Sequence, residues 1–236
     1  MKAQMPSPTI YRLSGLALLI AFPLQLVGFA LHPPGFESLA IFVLPQYGPA
    51  HLLLAVSWTF ALLGLPGLYL AQAARAGRIG LVGFLASTLM ALVTFELVMF
   101  EAIAAPTLAS DPAASHLVAA DGALVNGELG VIGRFVILGI VTLAGPVLLG
   151  VASLRAGVLP RASAFLQIAS VVGLPLYIGV GLLTNALGIP GGLLAFPGLE
   201  YAVLFLGYAV AGWALWRMPA NAMFPSWTKV ARAAGS

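Results

Sequence analysis

The 236 residues hold 61% hydrophobic side chains and only 7% Asp, Glu, Lys and Arg, with a mean hydropathy of +1.06. Soluble domains carry about a quarter charged residues, so this chain cannot cover a surface in water and its solvent must be lipid. The absence of cysteine excludes disulfides, thiol chemistry, Cys-ligated zinc and iron–sulfur clusters, and the net charge of +3 comes without the aromatic-studded basic patch that nucleic acid requires.

A helix that crosses ~30 Å of hydrocarbon at a rise of ~1.5 Å per residue needs about 20 mostly apolar residues. The first such run is Ile10–Leu31, with Pro23 inside it. Lys2, Arg12 and small residues near Gly28 give it features of a secretory leader. Its apolar run is longer than a leader's core, so a retained transmembrane helix is expected. The connection Pro33–Ala50 leads to the second run, His51–Gln72, and the tight turn Ala73–Arg78 to the third, Ile79–Ala104. In the next connection, Pro106–Glu128, Asp111-Pro112 reads as an N-cap with a helix-starting proline, and Gly122 as a stop. A short surface helix over Pro112–Asp121 is therefore expected, with Leu117, Val118, Leu124 and Val125 dipping into the membrane interface. The fourth run is Leu129–Ser153, the turn Leu154–Ala162 follows, and the last two runs are Ser163–Asn185 and Leu194–Trp216. None shows the two-residue alternation of a barrel strand.

The expected fold is an all-α integral membrane protein, a single-domain bundle of six transmembrane helices. Leu63, Pro66, Leu68, Arg75, Ala76 and Gly77 recur as Leu143, Pro146, Leu148, Arg155, Ala156 and Gly157 at an offset of 80. The second–third and fourth–fifth helices then read as duplicated hairpins, an arrangement found in transporters. Pro23, Pro66, Pro146 and Pro175 each fall inside a span, where membrane helices tolerate proline.

Basic residues orient the bundle. Lys2, Arg12, Arg75, Arg78, Arg155, Arg161, Arg217, Lys229 and Arg232 all map to one side, which by the positive-inside rule is cytoplasmic together with both termini. Glu37, Glu96, Glu101, Asp111, Asp121, Glu128 and Glu200 map to the opposite side, as do His32, His51 and His116. Ionisable chemistry is expected there, on the outside of a plasma or inner membrane.

Four polar side chains fall too deep for loops: Glu96 about eight residues, or ~12 Å, inside its span, and Arg134, Glu200 and Gln25 at somewhat lesser depth. A charge in hydrocarbon costs at least ~2.5–3.5 kcal/mol, so these groups should face inward and pair. Arg134 is the one cation in reach of Glu96 and Glu200, leaving a carboxylate over. An outward-facing pocket of Glu96, Glu200, Arg134, His51, Gln25 and Glu101 is the expected ligand site, for a proton, a cation or a small amphiphile.

Two other readings stand beside it. One is an accessory subunit packed by its Ala and Gly against other membrane proteins. The other is an intramembrane enzyme using a carboxylic acid on a lipid or isoprenoid, with Phe95, Phe100, Tyr177, Phe196 and Tyr201 as walls. His51, His116, Glu101, Asp121 and Glu128 are a metal-ligating set by type, but no His-x-x-x-His or Glu-x-x-His spacing occurs, so no metal is expected. No cofactor is named by the sequence. The partners expected are the lipid bilayer and other membrane proteins, not nucleic acid. Serine-hydrolase elbows, phosphate-binding Gly-rich loops and in-span lysines are all absent.

Overall fold

The computed structural model describes residues 8–33, 39–119, 121–126, 131–171 and 199–218, with the backbone alone for 8, 125–126, 131–143 and 199–200. Among the described residues every regular element is helical. Helix α1 spans Pro8–Leu31, the single turn α2 Leu39–Phe42, α3 Tyr47–Leu70 and α4 Ala73–Met99. Helix α4 runs through a π-helical turn, Phe100–Ala104, into α5, Ala105–Ser110. The short α6 is Ala123–Asn126, α7 is Val131–Ala156, residues 161–171 are helical (α8), and α9 is Leu199–Arg217. Among the described residues three stretches are long and apolar enough to cross a membrane: Thr9–Leu31, Tyr47–Leu70 and Ala73–Ser110.

Neighbouring helices run antiparallel, and small side chains set their register. Helix α1 lies against α3 through Ser57 Oγ, which donates to Ala21 O at 2.8 Å, and Ser14 Oγ, which donates to Leu63 O at 3.3 Å. On its other side α1 meets α9 where Gly15 and Gly212 face each other; a Cβ on either would lie 2.6 Å from the other's carbonyl oxygen. Helix α4 meets α7 just as closely, since a Cβ on Gly83 would lie 2.5 Å from Leu149 N, and one on Gly145 would strike Ser87 N. Helix α8 closes the arrangement, with Ala164 and Ile168 beside Gly150 of α7 and Ser163 and Gln167 beside Gly207 of α9. Individual glycines do this without a paired Gly-x-x-x-Gly motif, because the backbone itself is the contacting surface.

The core centres on Trp58, 1% exposed, whose ring meets Tyr201 and Phe205 of α9 edge-on at centroid distances of 5.3 and 4.8 Å. Tyr69 and Phe84 stack across the α3–α4 hairpin at 4.9 Å. This register brings Arg12, Arg75, Arg78, Arg155, Arg161 and Arg217 to one end of the bundle, all exposed. Glu101, Asp111 and Asp121 lie at the other end, the acid end.

The two turns in which the 80-residue repeat ends share a backbone feature. Gly77 has φ 59° and Gly157 φ 61°, the two positive-φ positions among the described residues. Both follow an Arg-Ala pair whose alanine is buried. At Gly157 helix α7 stops, whereas at Gly77 (φ 59°, ψ −158°) the backbone kinks α4 after its first turn, and glycine, with no Cβ, enters a positive φ at little steric cost.

The connection after α4 differs from expectation. No helix covers Pro112–Asp121; turns and one 3-10 turn, Ser115–Leu117, stand in its place, and the helical residues come earlier, in α5. Asp111 is not the expected N-cap: it ends α5, and its Oδ1 accepts from Ala113 N at 2.9 Å in an Asx turn that no helix follows. Val118 packs inward with Phe42, Tyr47 and Ala105 in a second apolar cluster instead of dipping outward, and Leu124 is exposed. Pro175 and most of the fifth expected span, and both chain ends, lie outside the described residues.

Candidate functional site

Two residues of the expected set come together at the acid end. His51 Nε2 lies 3.2 Å from Glu101 Oε2, with the two side chains 3% and 14% exposed. His51 belongs to the first turns of α3, where Tyr47 precedes it by one turn. Its Nδ1 lies 2.9 Å from Tyr47 O, and the Tyr47 and His51 rings are 4.1 Å apart. Glu101 stands in the π-helical turn that ends α4. A π turn shifts the phase of every side chain beyond it, and such turns gather at functional sites. Gly48 permits the meeting, because a Cβ there would lie 2.9 Å from Ala102 O in that turn.

The hydrogen-bond chemistry of the pair follows from acceptor types. A carbonyl oxygen only accepts, so His51 Nδ1 carries a hydrogen and donates to Tyr47 O. Nε2 and the carboxylate then face each other as two acceptors unless a proton lies between them. Either Nε2–H donates to the ionised Glu101, or protonated Glu101 donates to the neutral ring. Both arrangements hold one proton on the His51–Glu101 line.

His32 completes the constellation. Pro33 and Pro34 follow it, and prolines lack the N–H that another helical turn needs, so α1 ends at Leu31. The His32 ring meets His51 edge-on at 4.8 Å and Tyr47 at 5.8 Å, and its Nδ1 donates to Pro33 O at 2.7 Å. Burial holds its pKa below the usual imidazole value. Nearby His51 adds to the lowering, while the Pro33 carbonyl and Glu101 oppose it. The Phe42 ring meets Tyr47 at 5.2 Å, tilted by 60°, and with Ala105 and Val118 it packs around the tyrosine. The site is therefore enclosed, not an open pocket: Tyr47 is 0% and His51 2% exposed.

The other expected residues are placed differently. Glu96 is exposed, not inward-facing. The buried positions of this part of α4 are Ser87, Met90, Ala91, Val93, Thr94 and Val98, a face centred on Ser87, Thr94 and Val98, and Glu96 sits about 200° around the helix from Thr94 and Val98. Gln25 is interior, 1% exposed, on the turn between Ala21 and Gly28, with Oε1 unpartnered among the described residues. That places it below the His51–Glu101 pair along α1, nearer to Trp58. The side chains of Arg134 and Glu200, and so the expected arginine–carboxylate pair, lie outside the described residues, as do Tyr177 and Phe196.

Sequence reasoning passed over Tyr47, Gly48 and His32 as members of the site. A usable signal was present: Tyr-x-x-x-His, Tyr47 to His51, stacks two rings on one helical face. His116 and Asp121 are exposed, and no three His, Asp or Glu side chains converge as metal ligands among the described residues. No protein-family model matches the chain, and no curated protein or solved structure is found to be similar to it.

Proposed function

We propose that this chain is a six-span membrane protein with both termini in the cytoplasm and that its outer-end site binds a proton reversibly. The observation that carries the reading is the 3.2 Å approach of His51 Nε2 to Glu101 Oε2 while His51 Nδ1 is committed to Tyr47 O. Two acceptors at that distance require a shared proton. Enclosure favours the proton over a larger cation or an amphiphile, because Tyr47 and His51 are almost fully covered. The reading of the arginine end as cytoplasmic rests on the six exposed arginines gathered there.

Infrared difference spectra of the protein in lipid, between about pH 5 and about pH 8 where imidazoles titrate, test it. A carboxyl or imidazolium band should appear and vanish with pH in the wild type. Glu101→Gln and His51→Gln should each remove that band, and Glu96→Gln should leave it. A spectrum unchanged across this range would overturn reversible proton binding and leave the pair as a structural contact.

A further inference from the structure

We infer that the arginine end of the bundle is a docking surface for anionic phospholipid, with phosphate headgroups on the arginine rim and acyl chains along the apolar flanks above it. The inference is independent of the proton reading and stands on the placement of the bundle in a bilayer.

Four of the arginines come from two turns that structure repeats. Arg75 stands two residues before the positive-φ Gly77 and Arg155 two before the positive-φ Gly157; Arg78 follows the kink of α4 at Gly77, and Arg161 opens α8. Helices α4 and α7 pack with Gly80 beside Ala152 and Gly83 beside Leu149, so the two turns lie at one level. All four side chains are exposed, and the sequence places no Asp or Glu in either turn or in residues 201–236. An array of guanidinium groups without internal counter-charge recruits external anions, and arginine's forked donors suit phosphate oxygens.

A free anion would need only the rim. Directly above it, however, Ile79 beside Arg78 and Val82 one helical turn on are exposed and apolar, a wall that suits an acyl chain and gives a free anion nothing to bind. A second mark of the headgroup level is Arg217, whose guanidinium lies 5.1 Å over the ring of exposed Trp213. Tryptophan and arginine gather at the depth where hydrocarbon gives way to phosphate. The rim and the wall together select an amphiphile with an anionic head.

Native mass spectrometry and thermal unfolding of the full chain in neutral detergent test this, with phosphatidylglycerol, phosphatidylcholine and inorganic pyrophosphate as probes. Phosphatidylglycerol should be retained and should raise the melting temperature, while the other two leave it in place. A basic residue at an anionic surface is worth about fivefold in affinity. Replacing Arg75, Arg78, Arg155 and Arg161 by Gln together should therefore weaken retention by more than about a hundredfold. If that variant does not fold, Arg75→Gln with Arg78→Gln, and separately Arg155→Gln with Arg161→Gln, should each lose about twentyfold. Wild-type retention should also fall steeply with salt, because exposed charges are screened. Equal retention of phosphatidylcholine, salt-independent binding or undiminished retention by the variants would overturn the proposal. A pyrophosphate effect matching the lipid's would replace it with a free-phosphate site.

Discussion

Replacing Glu101 by Gln keeps a donor opposite His51 Nε2, because the amide can supply the hydrogen that the shared proton supplied. The expected loss of stability is small, about 1 kcal/mol. His51→Leu differs in kind. It leaves a largely buried carboxylate without the imidazole, and an abandoned buried charge costs roughly 3–5 kcal/mol. Thermal or denaturant unfolding in detergent should rank Glu101→Gln well above His51→Leu; equal stabilities would deny the pair its proton. His32 gives a separate pH dependence. Its folded pKa lies below the ordinary value of 6.5, so the unfolded chain takes up a proton that the folded one refuses. Stability contributed by this residue is complete above that value and is lost as pH falls from it toward the folded pKa. The groups facing His32 are His51, Tyr47 and Glu101, and they remain in His32→Gln. That variant should therefore flatten the acid side of the melting-temperature profile, and an unchanged slope would assign the pH dependence elsewhere.

Among the elements, the π turn at Phe100–Ala104 and the start of α3 act as one unit. Gly48→Ala places a Cβ against Ala102 O and must push the two apart, at a cost of about 1–3 kcal/mol. The same substitution should weaken the titrating infrared band, because it lengthens the His51–Glu101 contact; Gly77→Ala should cost about 1–3 kcal/mol and leave the band alone. The long helices were legible from hydropathy, as were the two Arg-Ala-Gly turns, since apolar length and positive-φ glycines are written locally. That Glu101 and His51 lie toward the acid end was legible from the segregation of charge along the chain; that their side chains meet at 3.2 Å was not. Glu96 was misjudged because depth along a helix says nothing of azimuth, and the buried face of α4 runs through Thr94 and Val98. The π turn had no local signature: its extra residue is stabilised by what lies across from it, at Gly48 and His51. Tyr47 was within reach of a local reading, one turn before His51 on α3, whereas His32 needed the α1–α3 register, which depends on contacts such as Ser57 to Ala21 that no single segment encodes.

The whole molecule presents apolar flanks between two polar ends of opposite character. Leu13, Leu26, Leu52, Leu63, Leu85 and Leu92 all face outward on α1, α3 and α4. Large apolar surface on this scale is stable only in contact with lipid, so the protein should resist extraction by high salt or alkali and yield only to detergent. A reporter fused after Ser236 should be active only in the cytoplasm, and a tag within Asp111–Asp121 accessible only from outside. The opposite C-terminal result would remove one span from the proposed six. Trp58 adds an optical consequence. It is enclosed by α3 and α9, whereas Trp213 and Trp216 are exposed on the bundle's flank. Brominated acyl chains quench indoles by contact, so they should extinguish the emission of Trp213 and Trp216 and spare a short-wavelength component from Trp58. With the fourth tryptophan removed as Trp227→Phe, that residual emission reads the integrity of the helix bundle directly, and its shift to the red on warming would time the separation of α9 from α3.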